Sequence, residues 1–346
     1  MDKKRIGVLT GGGDCPGLNP AIRGIVLRAL DYGDEVIGIK YGWAGLIKAD
    51  TMPLTLESVE GILEEGGTIL GSSRTNPFKK EEDVQKCIEN FKKLGLDALI
   101  AIGGEDTLGV ASKFSKRGLP MIGIPKTIDK DLEETDYCLG FDTAVEVVKE
   151  SIERLKDTAK SHARVVVVEI MGRHAGWLAL YGGLAGGADY ILIPEVEPNL
   201  NELYEHIKKL YNRGHNWAVI AIAEGVQLPG FTYQKGQEGM LDAFGHVRLG
   251  GVGQVLAEEI EKNLGIETRA VILSHLQRGG SPSITDRIWG LRLGKEAVDL
   301  VHQGKSGYFI AIKGNQLVPV DITLIEGKTK NVDPALYESL KTFFNK

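Results

Sequence analysis

The chain has few cysteines, and their spacing does not suit cross-links or metal ligands. Only Cys15, Cys87 and Cys138 occur in 346 residues, far apart and without a Cys-x-x-Cys pair. Such an odd, scattered set does not form a disulfide framework, and it lacks the paired spacing of a zinc site. We therefore expect neither.

Two further absences narrow the class of protein. No apolar run approaches the roughly 20 residues of a transmembrane helix, and no signal-peptide hydrophobic region follows the amino terminus. The net charge is −6, so the whole chain has no electrostatic attraction for nucleic acid or an anionic membrane. We expect a cytoplasmic protein that binds neither nucleic acid nor membranes.

Glycine, by contrast, is abundant. It supplies 45 of 346 residues, or 13%, against about 7% in an average protein. This excess predicts many tight turns and close approaches of the backbone to a ligand. The hydrophobic and charged fractions, 42% and 25%, are ordinary for a soluble protein, and the length suggests about two domains.

Short apolar runs alternate with longer amphipathic segments. The runs lack polar alternation, as expected of parallel strands that are covered on both faces. Strands are predicted at 6–9, 36–39, 98–102, 121–124, 165–170, 190–193, 218–223 and 270–273, and helices at 20–30, 81–94, 144–156 and 201–211. The alternation predicts a doubly wound α/β fold. The polar, glycine-rich segment 227–251, before a helix at 252–263, is interpreted as a surface loop, a lid or an oligomer contact.

Glycine clusters follow several predicted strands, where open α/β sheets bind ligands. They occupy residues 11–17, 103–104 and 172–176, and their backbone N–H groups suit an anion. A dinucleotide fold also has a glycine-rich first turn, but Lys40 stands where a ribose-binding acid is expected. Gly304-Lys305-Ser306 is not a nucleotide-binding P-loop, because Asp299 replaces its first glycine.

Carboxylates and cations gather at the same strand ends. Glu105 and Asp106 follow one strand, while Asp129 and Asp131 follow Lys126 after another. Such carboxylates suit Mg²⁺, which shares its ligand shell with phosphate oxygens, and one carboxylate can accept a hydroxyl proton. Alternatively, each is a helix cap. The cations suit phosphate: His275 and Arg278 in one loop, with Arg164, Arg173 and Arg269 near other strand ends.

Six motifs in this order resemble the phosphofructokinase family over nearly the whole chain. They are the opening loop at 10–19, Gly-Gly-acid-x-Thr at 103–107, Thr-Ile-Asp-Lys-Asp at 127–131, Met-Gly-Arg-His-Ala-Gly at 171–176, Ala-Glu-Gly at 223–225 and Gln-Arg-Gly-Gly-Ser-Pro at 277–282. The resemblance implies two doubly wound, mostly parallel sheet domains with helices on both faces. Residues 1–139 with about 277–327 would bind the phosphoryl donor, and about 140–276 with 328–346 the sugar phosphate.

The resemblance also implies the reaction and its residues. Fructose 6-phosphate would be phosphorylated on its 1-hydroxyl with Mg²⁺ bound through Glu105, a position where many members use Asp. Asp131 would support the loop that carries the base. The catalytic residues would be Asp129 as base, with Thr127, Arg173, Lys126 and Asp106; donor binding would use Gly13, Arg74, Gly104 and Thr107; and sugar binding would use Thr127, Asp129, Met171, Gly172, Arg173, Glu224, His275 and Arg278. Arg164 and Arg269 would reach this sugar site from a neighbouring subunit, so we expect a homo-oligomer, a dimer or tetramer.

Two positions indicate the phosphoryl donor. Where ATP-using members typically carry glycine, this chain has Asp106 and Lys126. A carboxylate would repel an ATP α-phosphate by a few kcal/mol at about 4 Å, and a lysine would support a leaving phosphate. Both changes are similar to the pyrophosphate-dependent branch. An ATP-dependent phosphofructokinase, a nicotinamide-dependent oxidoreductase and a non-catalytic sugar-phosphate sensor are the alternatives.

Overall fold

The structure, a computed structural model, describes residues 2–231 and 249–344. Its strands are β1 (Arg5–Thr10), β2 (Glu35–Ile39), β3 (Thr51–Leu54), β4 (Ala98–Gly103), β5 (Met121–Pro125), β6 (Val165–Ile170), β7 (Tyr190–Leu192), β8 (Ala218–Ala223), β9 (Thr268–Ile272), β10 (Tyr308–Lys313) and β11 (Gln316–Asp321). Its α-helices are α1 (Leu18–Tyr32), α2 (Trp43–Lys48), α3 (Leu56–Val59), α4 (Glu81–Lys93), α5 (Glu105–Lys116), α6 (Phe141–His162), α7 (Trp177–Gly186), α8 (Leu200–Asn212), α9 (Val252–Leu264), α10 (Ile284–His302) and α11 (Pro334–Leu340).

The strands form two sheets. The seven-stranded sheet has the order β11-β10-β5-β4-β1-β2-β3, in which only the edge pairs β10–β11 and β2–β3 are antiparallel. The four-stranded sheet, β7-β8-β6-β9, is parallel throughout. These sheets confirm the predicted α/β class with mostly parallel strands.

The central strands of the seven-stranded sheet are apolar because both of their faces are covered. Val8 and Ile100 belong to one buried cluster, whereas their neighbours Leu9 and Ala101 belong to another. Adjacent residues on a strand point to opposite faces, so each face has its own apolar layer. This explains why the strand sequences show no polar alternation.

Three strands and one burial pattern were not predicted correctly. The strands β3, β10 and β11 were missed. β10 is an interior strand with a buried middle, whereas the edge strands β3 and β11 are only partly buried and contain Pro53 and Pro319. Proline is tolerated at sheet edges but weakens the strand pattern in a sequence. β9 was predicted to be buried on both faces, yet it is an edge strand and Ile272 is 50% exposed.

Helices α1 and α10 cross at unusually short distance, and this crossing places one of the site loops. A Cβ atom on Gly24 would lie 2.5 Å from the Leu291 carbonyl oxygen, and one on Gly294 would lie 2.4 Å from the Ala21 oxygen. No side chain larger than hydrogen fits there. The loop 273–283 therefore runs from the four-stranded sheet to a helix held against α1 of the seven-stranded sheet.

The segment 227–251 falls largely outside the described residues, which omit 232–248. Its interpretation as loop, lid or oligomer contact stays a prediction. The helix predicted after it is α9. Within the described ranges, no helix is both long and apolar enough to cross a membrane.

Candidate active site

A cleft of about 1010 Å³ opens at the carboxyl ends of strands from both sheets. This is the edge at which parallel sheets bind ligands. The predicted site residues that line it are Gly13, Arg74, Met171, Arg173, Glu224, His275 and Arg278. Residues separated by up to 265 positions in the chain are thus brought to one surface.

Lys126 is buried beneath the opening glycine-rich loop. Its side chain is 3% exposed, and Nζ donates hydrogen bonds to the carbonyl oxygens of Gly11, at 2.9 Å, and Gly13. Burial lowers the pKa of Lys126. The ammonium group therefore connects the loop after β5 to the loop after β1, and it lies 3.6 Å from the position a Cβ on Gly12 would occupy.

Asp129 is the most enclosed carboxylate of its loop. It is 4% exposed, and its backbone N–H donates to Thr127 Oγ1 at 3.1 Å. Its Oδ1 atom is buried and has no hydrogen-bond partner among the described residues. A buried acceptor without a partner is rare in folded proteins, and Asp129 itself is not among the residues that line the cleft.

Arg173 joins the two groups of carboxylates. Its guanidinium lies 3.8 Å from Asp106 Oδ2 and 4.0 Å from Asp129 Oδ2. Asp106 lies in the first turn of α5, beside the seven-stranded sheet, whereas Arg173 follows β6 of the four-stranded sheet. The arginine therefore spans the two sheets at the point where the predicted donor and acceptor positions meet.

Asp131 does not line the cleft, but its carboxyl group is affected by the charge of Asp129. Burial and, second, the charge of Asp129 raise the pKa of Asp131 to about 7. Its backbone oxygen accepts the Lys330 N–H at 2.8 Å. Asp131 is thus held by the chain segment that follows β11.

Glu224, after β8, organises the backbone around Arg173. Its Oε1 accepts hydrogen bonds from the N–H groups of Gly172, at 3.3 Å, and Arg173, at 3.0 Å. Burial raises the pKa of Glu224 to about 7 despite these bonds, and the charge of Asp129 adds to the increase. Met171, Gly172, Arg173 and Glu224, which the motifs assign to sugar binding, form one connected group.

Replacing Glu224 with glutamine should stabilise the free protein at neutral pH. The pKa of Glu224 rises from 4.5 to about 7 on folding, so the unfolded chain ionises first as pH rises between these values. The ionised glutamate therefore costs stability above pH 7, by about 1–3 kcal/mol, and nothing below pH 4.5. Glutamine keeps the accepting oxygen but carries no charge.

Denaturant unfolding of the Glu224→Gln variant at pH 8 and pH 4.5 measures this difference. The gain should be present at pH 8 and absent at pH 4.5. The exposed Glu197→Gln is the matched control, with no gain at either pH. Equal changes for Glu224→Gln at the two pH values would disprove the charge argument.

The Arg278 guanidinium lies against the opening loop. Its Nη1 atom donates to the Asp14 carbonyl oxygen at 3.2 Å, and a Cβ on Gly13 would lie only 2.2 Å from Nη1. Any other residue at position 13 would displace the arginine. Arg278 is 8% exposed, and its Nε atom is buried without a partner in the described part of the chain, so a donor is free for an anionic ligand.

His275 lies at the exposed side of the same cleft. Its Nδ1 atom is 3.0 Å from Ser274 Oγ, and it lines the cleft together with Arg278 and Arg74. The predicted clamp of His275 and Arg278 is therefore brought together, with one member buried and one exposed.

Three predicted donor or metal residues lie at the start of α5, outside the cleft lining. Gly104 precedes the helix, and Thr107 is buried beneath the glycines at 11 and 103. Glu105 accepts the Gly327 N–H through Oε1 at 3.1 Å. The described residues contain no cluster of three or more His, Cys, Asp or Glu that could hold a metal, so any Mg²⁺ would need phosphate oxygens as ligands.

Arg164 and Arg269 are not among the residues that line the cleft of their own chain. Arg164 precedes β6 and Met171 follows it, so about 20 Å of strand separates them. Both arginines contact Glu267, at 3.2 Å and 2.9 Å. Arg164 Nε is buried and without a partner among the residues described. Within one chain these two residues do not join the other sugar-binding candidates.

The motifs missed two groups that shape the cleft. Glu169 is buried within β6 and accepts the N–H groups of Gly251 and Gly253. Ser72 and Ser73 hold the opening loop, since Ser72 Oγ donates to the Gly12 oxygen at 2.5 Å and the Gly12 N–H donates to the Ser73 oxygen. A lone carboxylate in an apolar strand was the available signal for Glu169.

Two doubly wound sheets around a cleft with buried cations and an available carboxylate are typical of an α/β enzyme that binds phosphate esters. The phosphofructokinase family profile matches residues 5–301. The chain is 87% identical over its full 346 residues to the pyrophosphate–fructose 6-phosphate 1-phosphotransferase of Dictyoglomus thermophilum, whose whole length is covered. The chain therefore belongs to the phosphofructokinase family, as its six motifs predicted.

Other relatives include enzymes that use a different phosphoryl donor. The chain is 46% identical to the ATP-dependent 6-phosphofructokinase 3 of Streptomyces coelicolor, over 96% of this chain and 98% of that one. The phosphofructokinase structure from Saccharomyces cerevisiae superimposes with a TM-score of 0.82 at 30% identity, covering 93% of this chain and 45% of the yeast chain. Membership of the family alone therefore leaves the phosphoryl donor open.

Proposed function

We propose that this protein transfers a phosphoryl group from pyrophosphate to the 1-hydroxyl of fructose 6-phosphate. The relative that matches it at 87% identity over both full lengths carries that activity in its name. In the site itself one observation carries the proposal: Asp129, whose buried Oδ1 has no partner among the described residues, has its Oδ2 4.0 Å from Arg173, which also faces Asp106.

Residues in the cleft and directly behind it divide the chemistry between them. Asp129 takes the proton of the 1-hydroxyl as the new O–P bond forms, and the O–P bond to the second phosphate breaks. Arg173 and Lys126 stabilise the negative charge that develops on the transferring and leaving groups. Thr127 contacts the transferring phosphoryl group, and inorganic phosphate leaves.

The acceptor and the donor are held by different residues in this proposal. His275 and Arg278 hold the 6-phosphate. The sugar contacts Met171, Gly172, Arg173 and Glu224, and pyrophosphate contacts Gly13, Arg74, Gly104 and Thr107. Because pyrophosphate replaces ATP, the reaction releases less free energy, and we expect it to run in both directions. We also expect the protein to act in the cytoplasm.

A Mg²⁺ ion fits the chemistry of the donor side. Mg²⁺ is bound in proteins by one or two carboxylates together with substrate phosphates, and adjacent Glu105 and Asp106 supply carboxylates at the start of α5. Glu105 would hold the ion, since among the described residues its carboxylate accepts one hydrogen bond, from the Gly327 N–H. When bound, the ion would neutralise charge on the phosphate oxygens.

The two sheets define the proposed donor and sugar domains. Residues 1–139 with about 277–327 form the donor domain, and about 140–276 with 328–346 form the sugar domain. Two contacts support the discontinuous boundaries: β10 pairs with β5 of the seven-stranded sheet, and Tyr337 donates a hydrogen bond to the Ile191 oxygen of β7.

The sugar site is completed by a second copy of the chain in this proposal. Arg164 precedes β6, about 20 Å of strand from Met171, and Arg269 lies near the start of the neighbouring edge strand β9. Neither arginine is among the residues that line the cleft of its own chain. A phosphate held by arginine gains roughly 1.5–3 kcal/mol per charge-assisted bond. The alanine variant of either arginine should therefore have a raised KM for fructose 6-phosphate.

Mixed oligomers of two inactive variants test the shared site. Co-expressed Arg164→Ala and His275→Ala subunits should recover about a quarter of the parental activity at low sugar concentration, because half of random dimers are hybrids with one intact site in two. Co-expressed His275→Ala and Arg278→Ala subunits should recover nothing, since both residues come from the same chain. Recovery equal in the two mixtures, or a fully active monomer in sedimentation, would contradict the proposal.

A further inference from the structure

The side chain of Lys130 lies in a cage of three aromatic rings. Its Nζ atom is 5.0 Å from the centre of the Phe141 ring, 4.9 Å from that of Trp177 and 4.8 Å from that of Tyr181. A cation over aromatic faces at such distances is attracted by the ring electrons. The phosphoryl-transfer chemistry proposed above makes no use of Lys130, although the residue follows Asp129 directly.

The three rings of the cage also contact one another, independently of the lysine. Phe141 and Tyr181 meet edge to face with ring centres 5.7 Å apart, and Trp177 packs on Tyr181 at 6.0 Å. Phe141 begins α6 and the other two lie on α7, and these helices pack on each other and on the four-stranded sheet. The three rings therefore form one surface of the sugar-side half of the molecule.

Lys130 comes from the other half. It follows β5 of the seven-stranded sheet, in the loop that carries Lys126 and Asp129. Trp177 Nε1 donates to the Lys330 oxygen at 2.8 Å, and the Lys330 N–H donates to the Asp131 oxygen at 2.8 Å. The loop that carries Asp129 is thus connected to Trp177 twice, by the side chain of Lys130 and by the backbone of Asp131 through Lys330.

The backbone of Lys130 needs such support. Its φ angle is 56°, a left-handed conformation that residues with a Cβ atom rarely adopt. Such conformations persist where the surroundings enforce them, and they gather at active sites. Burial and the nearby Lys330 ammonium lower the pKa of Lys130, while the charge of Asp136 opposes this decrease. The ring faces add a further attraction for the ammonium group.

We propose that Lys130 is a positioning residue: docked in the cage of Phe141, Trp177 and Tyr181, it holds Asp129 in line with the sugar groups on the four-stranded sheet. This rests on the assignment of Asp129 as the base. A base displaced by about 1 Å can lose on the order of 10²-fold in rate, so the cage acts on turnover rather than on binding.

Steady-state kinetics of the full-length oligomer with pyrophosphate and fructose 6-phosphate test the proposal. The Lys130→Met variant keeps the length of the side chain without its charge, and its kcat should fall about 10- to 100-fold while both KM values change less than threefold. The Tyr181→Leu variant should lose kcat in the same manner. The Tyr181→Phe variant, which keeps the ring, should retain the parental kcat.

The double variant Lys130→Met/Tyr181→Leu decides whether the two residues act together. If the cage works through Lys130, the double variant loses no more than Lys130→Met alone. Multiplied losses, a kcat of Lys130→Met within twofold of the parent, or losses confined to KM would each overturn the proposal. Should Lys130→Met not fold, as judged by near-ultraviolet circular dichroism, the Tyr181 pair gives the answer by itself.

The assignment of Asp129 is tested separately. If an Asp129→Asn variant keeps the parental turnover, Asp129 is not the base. Any coupling between Lys130 and Tyr181 would still be measurable in that case. Failure of the cage and failure of the base are therefore distinguishable results.

Discussion

Replacing Asp129 with asparagine is expected to lower kcat by about 10²–10⁴-fold, the usual contribution of a positioned general base. Asparagine has the same shape and keeps the backbone hydrogen bond to Thr127, but it cannot accept the hydroxyl proton. Because Oδ1 of Asp129 is buried and has no hydrogen-bond partner among the described residues, no group bonded to it is in place to accept the proton instead. The KM for fructose 6-phosphate should change only modestly, since the proposed phosphate clamp is untouched.

The measurement is an aldolase-coupled assay in the forward direction and a phosphate-dependent assay in the reverse direction. A base for the forward reaction is the acid for the reverse one, so both directions should lose rate to the same extent. Thermal unfolding of the variant serves as the folding control. Turnover within tenfold of the parent would remove Asp129 from the base role.

The second large effect concerns the phosphoryl donor. Replacing Lys126 with glycine should lower turnover with pyrophosphate by about 10²–10³-fold, as for the loss of one preorganised charge donor. The 3% exposed ammonium is held by the oxygens of Gly11 and Gly13, which makes it a fixed charge beside the opening loop. The Lys126→Met variant, which fills the same volume, separates the loss of charge from the loss of packing.

Asp106 acts in the opposite sense, against the wrong donor. A carboxylate near an ATP α-phosphate is repelled by a few kcal/mol at about 4 Å, so Asp106→Gly should admit ATP while pyrophosphate turnover survives in reduced form. Since Asp106 also lies 3.8 Å from Arg173, the Asp106→Asn variant is needed to show the effect of charge without the loss of bulk.

Initial rates with both donors decide the point for the parent and these variants. If the parent prefers ATP, the pyrophosphate assignment is wrong. If Asp106→Gly gains no ATP activity, the exclusion role is wrong even for a pyrophosphate-using parent. The KM for fructose 6-phosphate should remain nearly constant throughout, because His275 and Arg278 are unchanged.

Local sequence patterns were sufficient for most of the buried centre of the fold, but they missed β10, an interior strand with a buried middle. All eight predicted strands occur, because runs such as 98–102 are apolar without interruption and are covered on both faces. β3 and β11 are short or partly exposed and contain proline, so burial does not impose a clear pattern on them. β9 was correctly placed as a strand but wrongly judged buried, since edge position depends on strand order.

The sequence by itself determined which groups stand at the strand ends. Parallel strands carry their loops to one edge of a sheet, so the order of motifs alone brings Asp129 and Glu224 to ligand-binding edges, and six motifs in order are sufficient for the family. These properties are local: each needs only a strand, a turn and the residues that follow them.

Only the tertiary structure decided how these groups face each other. It placed Arg173 between Asp106 and Asp129 and the Glu105 carboxylate against Gly327. It also put Arg164 at the far end of its strand. These relations join residues of different sheets, and they depend on how the sheets pack rather than on any periodicity along the chain. The cage around Lys130 is of the same kind, because its three rings come from two helices that the sequence separates from the lysine.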